Sequence, residues 1–334
     1  MSATPRIFVT GGTGFIGSQL ALHAVKTGHA VTVASPIRND IERFRCDLLN
    51  RAGISVVEAA LDDTARLREA LTGHDTIIHL AAAQHEAEAP ESHFRKVNVE
   101  GTRTLLTLAV REGVKRVVHG STIGVYGDGR NGVLDELSPL APDNSYGRTK
   151  AEGETVVREF ASRLEVAVVR ISETYGPADL RLLKLFKAIE RGRYITLGSG
   201  LNERQLIYVE DLCRALLAAA HAPAAVGQTI ILAGGERLTT DAMVASICTA
   251  LGKPPRSRHV PLWPFDIAAR VCETVMPPLG LKPPLHSRRL DFFRKSFRFS
   301  TERAARILGF RPQVPFATGA QLTARWYREA GLLA

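Results

Sequence analysis

The stretch that decides the fold is IFVTGGTGFIG, residues 7–17. It is typical of a short apolar strand that runs into a glycine-rich turn and then a helix. Two glycine patterns overlap in the turn, one on Gly12, Gly14 and Gly17 and a wider one that replaces Gly12 with Gly11. In either pattern one glycine forms the tight turn, one lets the backbone approach a pyrophosphate, and one lets the helix pack close to the strand. The pyrophosphate then lies over the N–H groups of the helix N-terminus.

Strand and helix patterns alternate up to residue 120, and this context favours a dinucleotide site over a purely structural turn. We expect strands at 6–10, 30–34, 55–59, 76–80 and 114–119, and helices at 14–27, 41–52, 64–71 and 97–112. Asp63 is the expected N-cap of the third helix. Short, nearly all-apolar strands in such alternation predict a parallel sheet covered on both faces, with ligands bound at the carboxyl ends of the strands.

The predicted fold class is α/β: a Rossmann-type, doubly wound parallel sheet with a smaller, mixed α/β C-terminal substrate lobe. We place the dinucleotide-binding domain at residues 1–176, with its sheet completed by parts of 205–235, and a mainly substrate-binding lobe at 177–334. Further elements are expected as a helix at 180–192, a strand at 205–209, a helix at 211–220 and a strand at 228–233.

Residues 252–290 carry many prolines among apolar residues, a composition too apolar for a disordered linker. We expect a short helix at 265–275 between proline-rich turns, forming a lid over the substrate. Amphipathic helices are also what a peripheral membrane contact needs, but the small lobe's own core is the interpretation we favour. A capped helix that begins near Thr301 and ends at Gly309 is expected in the C-terminal segment.

The bulk composition, with 45% hydrophobic and 23% charged residues, is that of a soluble globular protein. Neither a signal peptide nor an apolar stretch long enough to span a bilayer is present, so we expect a cytoplasmic enzyme without integral membrane contact. The four cysteines show no metal or redox spacing and are expected to be buried thiols in a reducing compartment: Cys46, Cys213, Cys248 and Cys272.

The net charge is +9, and much of it is clustered late in the chain. The cluster is either a solvated helix face or a surface that attracts a phosphorylated cofactor or substrate, and the sequence leaves both open. A nucleic-acid partner is not expected, because no such motif is present and aromatic residues do not alternate with the basic ones. The clustered residues are Arg288, Arg289, Arg294, Lys295, Arg298, Arg303 and Arg306.

The residues at the end of the second strand determine whether NAD or NADP is preferred, because an acidic residue there would bind the ribose hydroxyls of NAD. This chain has Ser35 at that point and Arg38 shortly after it. A guanidinium without a carboxylate accommodates a 2′-phosphate better, so NADP is favoured over NAD. Alternatively, Arg38 is a solvated loop residue and Asp40 is only the N-cap of the next helix.

Histidines at and after the fourth strand show no common metal spacing, so no metal site is expected. His79 lies in the apolar strand and is expected to be a satisfied core residue. His85, Glu86 and His93 are expected to be loop residues that line a substrate pocket.

The residues that carry chemistry lie at the end of the fifth strand and at the start of a later helix. Ser121 and Thr122 end a buried strand, while Tyr146 and Lys150 lie four apart on one helix face. A tyrosine phenol is too weak an acid or base at neutral pH, and an adjacent ammonium lowers its pKa. A strand-end hydroxyl then holds a substrate oxygen while the phenol gives or takes a proton. A surface Tyr–Lys pair is the alternative, which the position after the fifth strand disfavours.

Motifs from residue 10 to residue 211 occur in the order of a known family: 10–17, 79–82, 97–102, 121–122 with 125–127, Tyr146 with Lys150, Arg170 with 175–177, and Arg204 with 208–211. On these motifs the chain resembles the extended short-chain dehydrogenase/reductases of the NAD(P)-dependent epimerase/dehydratase superfamily. Its apolar lid also resembles that of the 3β-hydroxysteroid dehydrogenase-like branch. The family often dimerises through two helices packed as a four-helix bundle, so a homodimer is expected.

The resemblance implies that Tyr146 is the acid/base and that Lys150 lowers its pKa and holds the nicotinamide ribose. Thr122 takes the Ser/Thr role with Ser121 beside it, and Asn98 supports the lysine's water network. The implied cofactor-binding residues are Gly11, Gly14, Phe15, Ile16, Gly17, Ser35, Arg38, Leu61, Asp62, Leu80, Ala81, Ala82, Tyr146, Lys150, Ile171 and Ser172. The implied substrate-binding residues are Gln84, His85, Thr122, Glu173 and Arg204.

Three positions bear on which cofactor contacts and which substrates the resemblance implies, and two of them depart from the family's pattern. Ala60 stands where the family usually has an aspartate that contacts adenine, so the adenine contact is either altered or taken by Asp62. Glu173 stands where sugar enzymes have an asparagine facing the substrate diphosphate, and a carboxylate there would repel a diphosphate. Arg204 argues the other way, because it matches the substrate-phosphate arginine, unless an ordinary ion pair holds it.

Sugar dehydratases of this family need an acidic residue directly after the catalytic Ser/Thr, whereas Ile123 and Gly124 follow Thr122 here. Dehydration is therefore not expected. We expect an NAD(P)-dependent oxidoreductase or epimerase that transfers hydride at a secondary alcohol or ketone of a sugar-like, nucleotide-sugar substrate. A 3β-hydroxysteroid dehydrogenase-like ketoreductase on a hydrophobic substrate is the alternative. A non-catalytic cofactor-binding sensor ranks below both.

Overall fold

The computed structural model describes residues 5–84, 89–128, 132–255, 258–276, 281 and 287–334. His85 and Glu86 lie outside the described residues. The strands are β1 (Ile7–Thr10), β2 (Val31–Ala34), β3 (Ser55–Val57), β4 (Thr76–His79), β5 (Arg116–Thr122), β6 (Glu165–Ile171), β7 (Thr174–Tyr175), β8 (Thr196–Leu197), β9 (Glu203–Arg204), β10 (Ile207–Tyr208), β11 (Thr229–Leu232), β12 (Leu238–Thr239) and β13 (His259–Val260).

Seven of these strands form one parallel sheet in the order β11-β6-β5-β4-β1-β2-β3. Thr10 lies opposite both Ala34 and His79, while Thr122 lies opposite Ile171. The carboxyl ends of the strands therefore line one edge of the sheet. The order reverses between β1 and β4, which is where ligands bind in such sheets. The predicted α/β, doubly wound fold is confirmed.

Strand β6 has no counterpart among the strands expected from the sequence, although its residues 166–171 are buried. It lies between β5 and β11, and β11 pairs only with β6 in this sheet. The strand expected at 228–233 therefore joins the sheet through an element that the sequence reasoning missed.

Thirteen α-helices are described: α1 (Phe15–Lys26), α2 (Asp40–Arg51), α3 (Thr64–Leu71), α4 (Glu91–Arg95), α5 (Thr102–Arg111), α6 (Ser145–Glu159), α7 (Leu183–Glu190), α8 (Val209–His221), α9 (Thr240–Ala250), α10 (Trp263–Val275), α11 (Ser287–Arg294), α12 (Glu302–Leu308) and α13 (Phe316–Glu329). A π-helical segment, Lys96–Gly101, lies between α4 and α5, and short 3-10 turns lie at Ile123–Tyr126 and Pro223–Ala225. The helix expected at 97–112 is thus a π-helical segment followed by α5.

Polar side chains begin two of the helices on the sheet. Asp63 accepts a hydrogen bond from the amide of Arg66 at 3.2 Å, so the expected cap of α3 is confirmed. Helix α2 is capped by Asn39, which accepts from the amide of Glu42 at 3.0 Å, and the alternative that Asp40 is the cap is wrong. Asn39 has the extended backbone that an N-cap needs, whereas Asp40 is already the first helical residue.

Helices cover both faces of the sheet and build its two cores. On one face, α1 and α8 bury Leu20, Leu212 and Leu216. On the other, α5 and α6 bury Leu105 and Val156. The strands between them are apolar on both sides, which is why they follow continuous rather than alternating hydrophobic patterns.

The second lobe has its own core, which α7, α9 and α13 form around Phe186, Ile247 and Tyr327. The expected lid helix is α10. Helix α12 ends at Gly309, whose φ of +61° is the usual left-handed helix end, but Thr301 makes no capping hydrogen bond at its start. None of the described helices is long and apolar enough to cross a membrane.

Ion pairs occupy much of the late basic cluster. They favour a structural role for these residues over the attraction of a phosphorylated ligand. The side chains of Arg288 and Arg289 lie outside the described residues. The pairs are Arg294 with Asp266, Lys295 with Asp143 and Asp291, Arg298 with Glu203, and Arg303 with Glu136.

Candidate active site

The glycine turn after β1 is shaped by contacts that a side chain would prevent. Gly11 has a φ of +70°, and a Cβ there would lie 2.7 Å from the amide nitrogen of Ala81. A Cβ on Gly17 would lie 2.3 Å from the carbonyl oxygen of Gly11, so α1 packs directly on the turn. A Cβ on Gly12 would collide with a side chain of β2, whereas one on Gly14 would meet only the carbonyl of Gly11, at 3.0 Å. Both glycine patterns therefore serve the turn, and Gly14 leaves its outer side open to a ligand.

The N-terminus of α1 offers amides to an anion. Gly14 is the N-cap and has no side chain to accept from them, and the first turn holds no acidic residue. The amides of Phe15, Ile16 and Gly17 have no acceptor within the helix and lie at the positive end of its dipole. This arrangement fits the pyrophosphate of a dinucleotide.

Arg45 of α2 lies at the same turn and was missed by the sequence reasoning. Its Nη1 donates to the carbonyl of Thr13 at 3.4 Å, and its Nη2 donates to the carbonyl of Ala178 at 2.9 Å. The guanidinium thus connects the glycine turn to the loop after β7. No motif relates position 45 to the turn, so only the packing of α2 reveals this residue.

The end of β2 holds Ser35 and Arg38, as expected. Ser35 is buried, and its Oγ lies 2.6 Å from the Oγ1 of Thr13 in the glycine turn. The side chain of Arg38 is exposed. A carboxylate also lies here, because Glu42 accepts a hydrogen bond from the backbone amide of Arg38 at 2.7 Å. NADP was favoured from the sequence because no carboxylate follows the end of β2 directly, whereas the fold brings that of Glu42 to this point.

The loop after β3 places Leu61 and Asp62 differently. Leu61 packs on the π-helical segment, where a Cβ on Gly101 would lie 2.8 Å from its Cδ1. Asp62 is exposed and forms an ion pair with Lys96 at 3.1 Å. The hydrogen bond from Lys96 holds the pKa of Asp62 below its ordinary value. Its implied contact with adenine stays a prediction.

His79 is a satisfied core residue, as expected. Its Nδ1 lies 2.7 Å from the Oγ1 of Thr10, and its Nε2 lies 3.0 Å from the Oγ1 of Thr102. Burial lowers its pKa to about 3, so the ring is neutral. The residues that follow, Leu80, Ala81 and Ala82, are half-buried beside the glycine turn, as is Gln84 further along the loop.

No group of three or more His, Cys, Asp or Glu in the described ranges could hold a metal ion. Three of the four cysteines are buried free thiols, and Cys272 is half-buried on α10.

Helix α6 carries Tyr146 and Lys150 and begins at the cap Asn144, which accepts from the amide of Gly147 at 2.9 Å. Lys150 is fully buried, and its Nζ lies 3.5 Å from the Nε2 of His119 on β5. Burial lowers the pKa of Lys150 to about 8, and burial and Lys150 lower the pKa of His119. Lys150 is thus a buried ammonium next to a neutral ring, and the charge of Glu154 opposes the effect of burial on its pKa.

Ser121 and Thr122 point to opposite sides of β5, because successive strand residues alternate. Ser121 donates to Glu154 at 2.6 Å, and Arg170 binds both carboxylate oxygens of Glu154 at 2.9 and 2.8 Å. Burial is the largest single influence on Glu154 and raises its pKa, but the charge and hydrogen bonds of Arg170, together with hydrogen bonds from Ser121 and Arg158, hold that pKa below its ordinary value. The side chain of Ser121 therefore belongs to a buried ionic network and lies on the opposite side of β5 from the side chain of Thr122.

Thr122 lies at the end of β5, where its Oγ1 accepts from the amide of Gly124 at 3.1 Å. A Cβ on Gly147 would lie 2.6 Å from the carbonyl oxygen of Gly124. The first turn of α6, which holds the half-buried Tyr146, thus packs on the turn that follows Thr122. The fold brings these two hydroxyl-bearing residues to one region.

Asn98 is buried in the π-helical segment and joins two elements of the site. It pairs with the backbone of Ala83 in both directions, at 2.9 and 3.1 Å, and donates to the Oγ1 of Thr149 at 3.0 Å. Its own carbonyl lies 2.8 Å from where a Cβ on Gly153 would be. Asn98 thus connects the loop after β4 to α6, and π-helical segments of this kind occur frequently at functional sites.

Ile171 and Ser172 lie at the end of β6. Both are buried, and the Oγ of Ser172 has no hydrogen-bond partner within the described part of the chain. A buried hydroxyl without a partner is costly, and a bound ligand would remove that cost.

Glu173 and Arg204 form an ion pair. Arg204 is buried, donates to the carbonyl of Phe292 at 2.7 Å and lies over the ring of Phe292 at 4.0 Å. Glu173 is 42% exposed. The arginine expected to bind a substrate phosphate is therefore already neutralised by the carboxylate expected to repel one.

The arrangement fits a nicotinamide dinucleotide. The glycine turn and the amides of α1 suit the pyrophosphate, and Ser35 beside the turn suits the adenosine ribose. Lys150 offers a buried ammonium, and Ser172 offers a buried hydroxyl that has no partner among the described residues, to the other half of the cofactor. A buried ammonium near a tyrosine suits proton transfer at a hydroxyl or carbonyl group.

Comparison with known proteins supports this assignment. A family model described as the NAD dependent epimerase/dehydratase family matches residues 7–234. A dTDP-glucose 4,6-dehydratase of Streptomyces niveus is 31% identical over 97% of this chain and 93% of its own length. The 3beta-hydroxysteroid-dehydrogenase/decarboxylase isoform 2 of Arabidopsis thaliana is 27% identical over 94% of this chain and 60% of its own length.

Among solved structures, the dTDP-glucose 4,6-dehydratase DesIV from Streptomyces venezuelae, with NAD and TYD bound, is 30% identical. It has a TM-score of 0.78 and a coverage of 98% of both chains. The chain therefore belongs to the NAD dependent epimerase/dehydratase family, among the extended short-chain dehydrogenase/reductases, and is an enzyme that depends on a nicotinamide dinucleotide.

Proposed function

We propose that this enzyme transfers hydride at a secondary alcohol or ketone of a sugar-like, nucleotide-linked substrate, as a net oxidation or reduction or as an epimerisation. The observation that carries the proposal is Lys150, a fully buried ammonium on α6 one turn after Tyr146. A cofactor-binding sensor would have no need for a buried lysine there, so we rank that alternative lower.

The cofactor would be held by the glycine turn, by the amides of Phe15 to Gly17, and by Lys150 and Ser172 at the opposite end. A bound nicotinamide dinucleotide supplies the hydride acceptor or donor. Tyr146 gives a proton to the substrate oxygen or takes one from it, and the ammonium of Lys150 lowers the pKa of the phenol. Thr122 hydrogen-bonds the same substrate oxygen, and Asn98 orients α6 through Thr149.

Replacing Tyr146 with phenylalanine tests the acid/base assignment. The variant Tyr146→Phe should lose kcat by about 10²–10⁴-fold, the usual contribution of a positioned acid or base. Cofactor affinity should stay within a few-fold, because only the hydroxyl is removed. Stopped-flow turnover and titration of the cofactor by fluorescence measure the two quantities. Turnover at the wild-type rate would rule out Tyr146 as the acid/base.

The expectation that dehydration is excluded has no support from the comparisons, because two of the relatives above are named dTDP-glucose 4,6-dehydratases. The site itself favours a reaction without elimination. Ile123 is buried and apolar and Gly124 has no side chain, so neither position after Thr122 can protonate a leaving hydroxyl. We propose hydride transfer without loss of water. Mass spectrometry of the product from dTDP-glucose tests this, and a product lighter by one water contradicts it.

A second candidate is a ketoreductase that acts on a hydrophobic, steroid-like substrate. The pairing of Glu173 with Arg204 favours it, because a diphosphate would have to approach a carboxylate and displace it from the arginine. Thermal-shift screening of nucleotide sugars against sterols in the presence of cofactor separates the candidates, since a ligand at 100 times its Kd stabilises a protein by about 2.7 kcal/mol.

For the cofactor we propose NADP over NAD, supported by Ser35 and by the exposed Arg38. The Glu42 carboxylate on the amide of Arg38 argues for NAD. The kcat/KM with NADP divided by that with NAD measures this preference. Arg38→Ala should lower this ratio if the guanidinium meets a 2′-phosphate.

We also propose a homodimer in the cytoplasm. Light scattering at micromolar concentration tests the oligomeric state.

A further inference from the structure

Helix α10 presents an apolar face to solvent. Trp263, Ile267, Val271 and Val275 follow one another at intervals of four residues, which places them along one side of the helix, and each is more than half exposed. We name these four residues the α10 stripe. The opposite side of the helix packs inward at Ala269, which is fully buried.

The stripe does not belong to the core of the lobe, where the sequence reasoning had placed this helix. That core is formed by α7, α9 and α13, and none of the four residues is part of it. Single exposed apolar residues are ordinary on protein surfaces, but four along one helix face form a continuous patch of the kind that marks a binding surface.

Charge identifies the occupant of this surface. Residues 251–289 contain seven Lys or Arg against two Asp or Glu. One of the two acids, Asp266, is bound by Arg294 at 2.7 Å and by Arg270 at 3.5 Å, while the side chain of Arg270 stays 72% exposed. Arg258 and Arg270, before and within α10, are exposed. In a symmetric dimer through the stripe, the exposed Arg258 and Arg270 would approach their own copies and repel them, whereas a surface of anionic headgroups attracts them.

We propose that the α10 stripe docks the protein on a lipid surface that carries anionic headgroups. The apolar side chains enter the boundary between headgroups and acyl chains, where the Trp263 ring is favoured because it has both an apolar body and an N–H group. Arg258 and Arg270 contact headgroup phosphates. The lid of the substrate lobe is then held against the bilayer. The proposal does not depend on which reaction the enzyme performs.

Flotation of the full-length protein tests the proposal, with vesicles of phosphatidylcholine alone and of phosphatidylcholine mixed with phosphatidylglycerol. The wild type should float with the mixed vesicles and dissociate at high salt. The double variant Ile267→Glu/Val271→Glu should bind at least about tenfold more weakly, because charges are costly in the apolar layer. The matched control Phe44→Glu/Leu137→Glu adds the same charges at exposed apolar positions elsewhere and should bind like the wild type.

Tryptophan fluorescence gives a second measurement that does not rely on the glutamate variants. Emission should shift to shorter wavelength on mixing with phosphatidylglycerol vesicles, and Trp263→Phe should lose the shift while keeping Trp326. No binding by the wild type, equal binding to both vesicle types, or undiminished binding by Ile267→Glu/Val271→Glu overturns the proposal. A wild-type dimer that these two substitutions dissociate, without vesicle binding, overturns it in favour of a second copy of the chain.

Discussion

Lys150 is a buried ammonium that lowers the stability of the folded protein and is also the proposed partner of the cofactor and of Tyr146. Its ammonium is fully buried 3.5 Å from the neutral His119, and burial lowers its pKa to about 8. Glu154, one helical turn further on, opposes this shift but is itself bound by Ser121 and Arg170. The buried charge of Lys150 is therefore only partly compensated within the protein, and under the proposed function the ribose of a dinucleotide would supply further oxygens.

The unfolding free energy of the protein without cofactor should depend on pH because of the lowered pKa of Lys150. Between pH 8 and the ordinary lysine pKa of 10.5, the unfolded state keeps the proton that the folded state loses. Stability therefore rises with pH in this window, by up to about 1.4 kcal/mol per pH unit. The unfolding free energy of the wild type minus that of Lys150→Met, from urea titrations at pH 7 to 10, should be flat below pH 8 and increase above it. A difference that stays constant would contradict the buried, titrating lysine.

The two hydroxyls at the end of β5 should separate stability from catalysis. Thr122→Val removes the hydroxyl proposed to hold the substrate oxygen and should lower kcat about 10²–10³-fold with little change in stability. Ser121→Ala leaves the buried Glu154 short of one donor and should cost about 1–3 kcal/mol of stability while kcat stays within a few-fold. Urea unfolding and steady-state kinetics on both variants measure this. The reverse pattern would assign the catalytic hydroxyl to Ser121.

Among the elements, the junction of β1 and α1 is packed so closely that side chains larger than glycine do not fit at Gly11 and Gly17. Gly11, Gly14 and Gly17 surround one turn, and α1 contacts its backbone without any intervening side chain. The π-helical segment has a comparable role on the other side of the site, since Asn98 connects the loop after β4 to α6.

The variant Gly17→Ala should displace α1 from the turn. Its Cβ would lie 2.3 Å from the carbonyl oxygen of Gly11, and a backbone atom in a tight turn cannot move aside. Cofactor affinity should fall at least about tenfold, which corresponds to 1.4 kcal/mol. Calorimetry measures it. Gly235→Ala is the control, because its Cβ would meet only Pro312, at 3.8 Å. Equal affinities in all three proteins would show that the turn tolerates a side chain.

At the scale of the whole molecule, the loop after β6 and the second lobe meet in the pair Glu173–Arg204. Glu173 follows the end of β6, and Arg204 lies on β9 of the smaller lobe beside Phe292. This pair decides whether Arg204 offers a positive charge to a phosphate.

The variant Glu173→Gln should leave Arg204 as an uncompensated buried cation. The variant should be less stable than the wild type, and a nucleoside diphosphate should raise its Tm more than it raises that of the wild type, because the diphosphate replaces the lost carboxylate. Differential scanning fluorimetry with and without uridine diphosphate measures both shifts. An equal rise in the two proteins would show that Arg204 does not meet the diphosphate.

The parts of the candidate site that the sequence points to are those whose signals are local. The glycine turn, the Tyr146–Lys150 spacing and the core role of His79 each follow from residues a few positions apart or from one apolar strand. Arg45, the Glu42 carboxylate near Arg38 and the engagement of Ser121 by Glu154 were missed. Each depends on contacts between residues on different elements, for which one sequence carries no signal.

Alternating hydrophobic patterns predicted a parallel sheet with ligands at the carboxyl ends of its strands, since alternating strands and helices bury their apolar faces in few ways. Packing alone established that Glu173 neutralises Arg204, that β6 fills the gap before β11, and that α10 exposes its stripe. Periodicity shows that an element has an apolar face. Only the arrangement of all elements in space determines what covers that face and which charges meet.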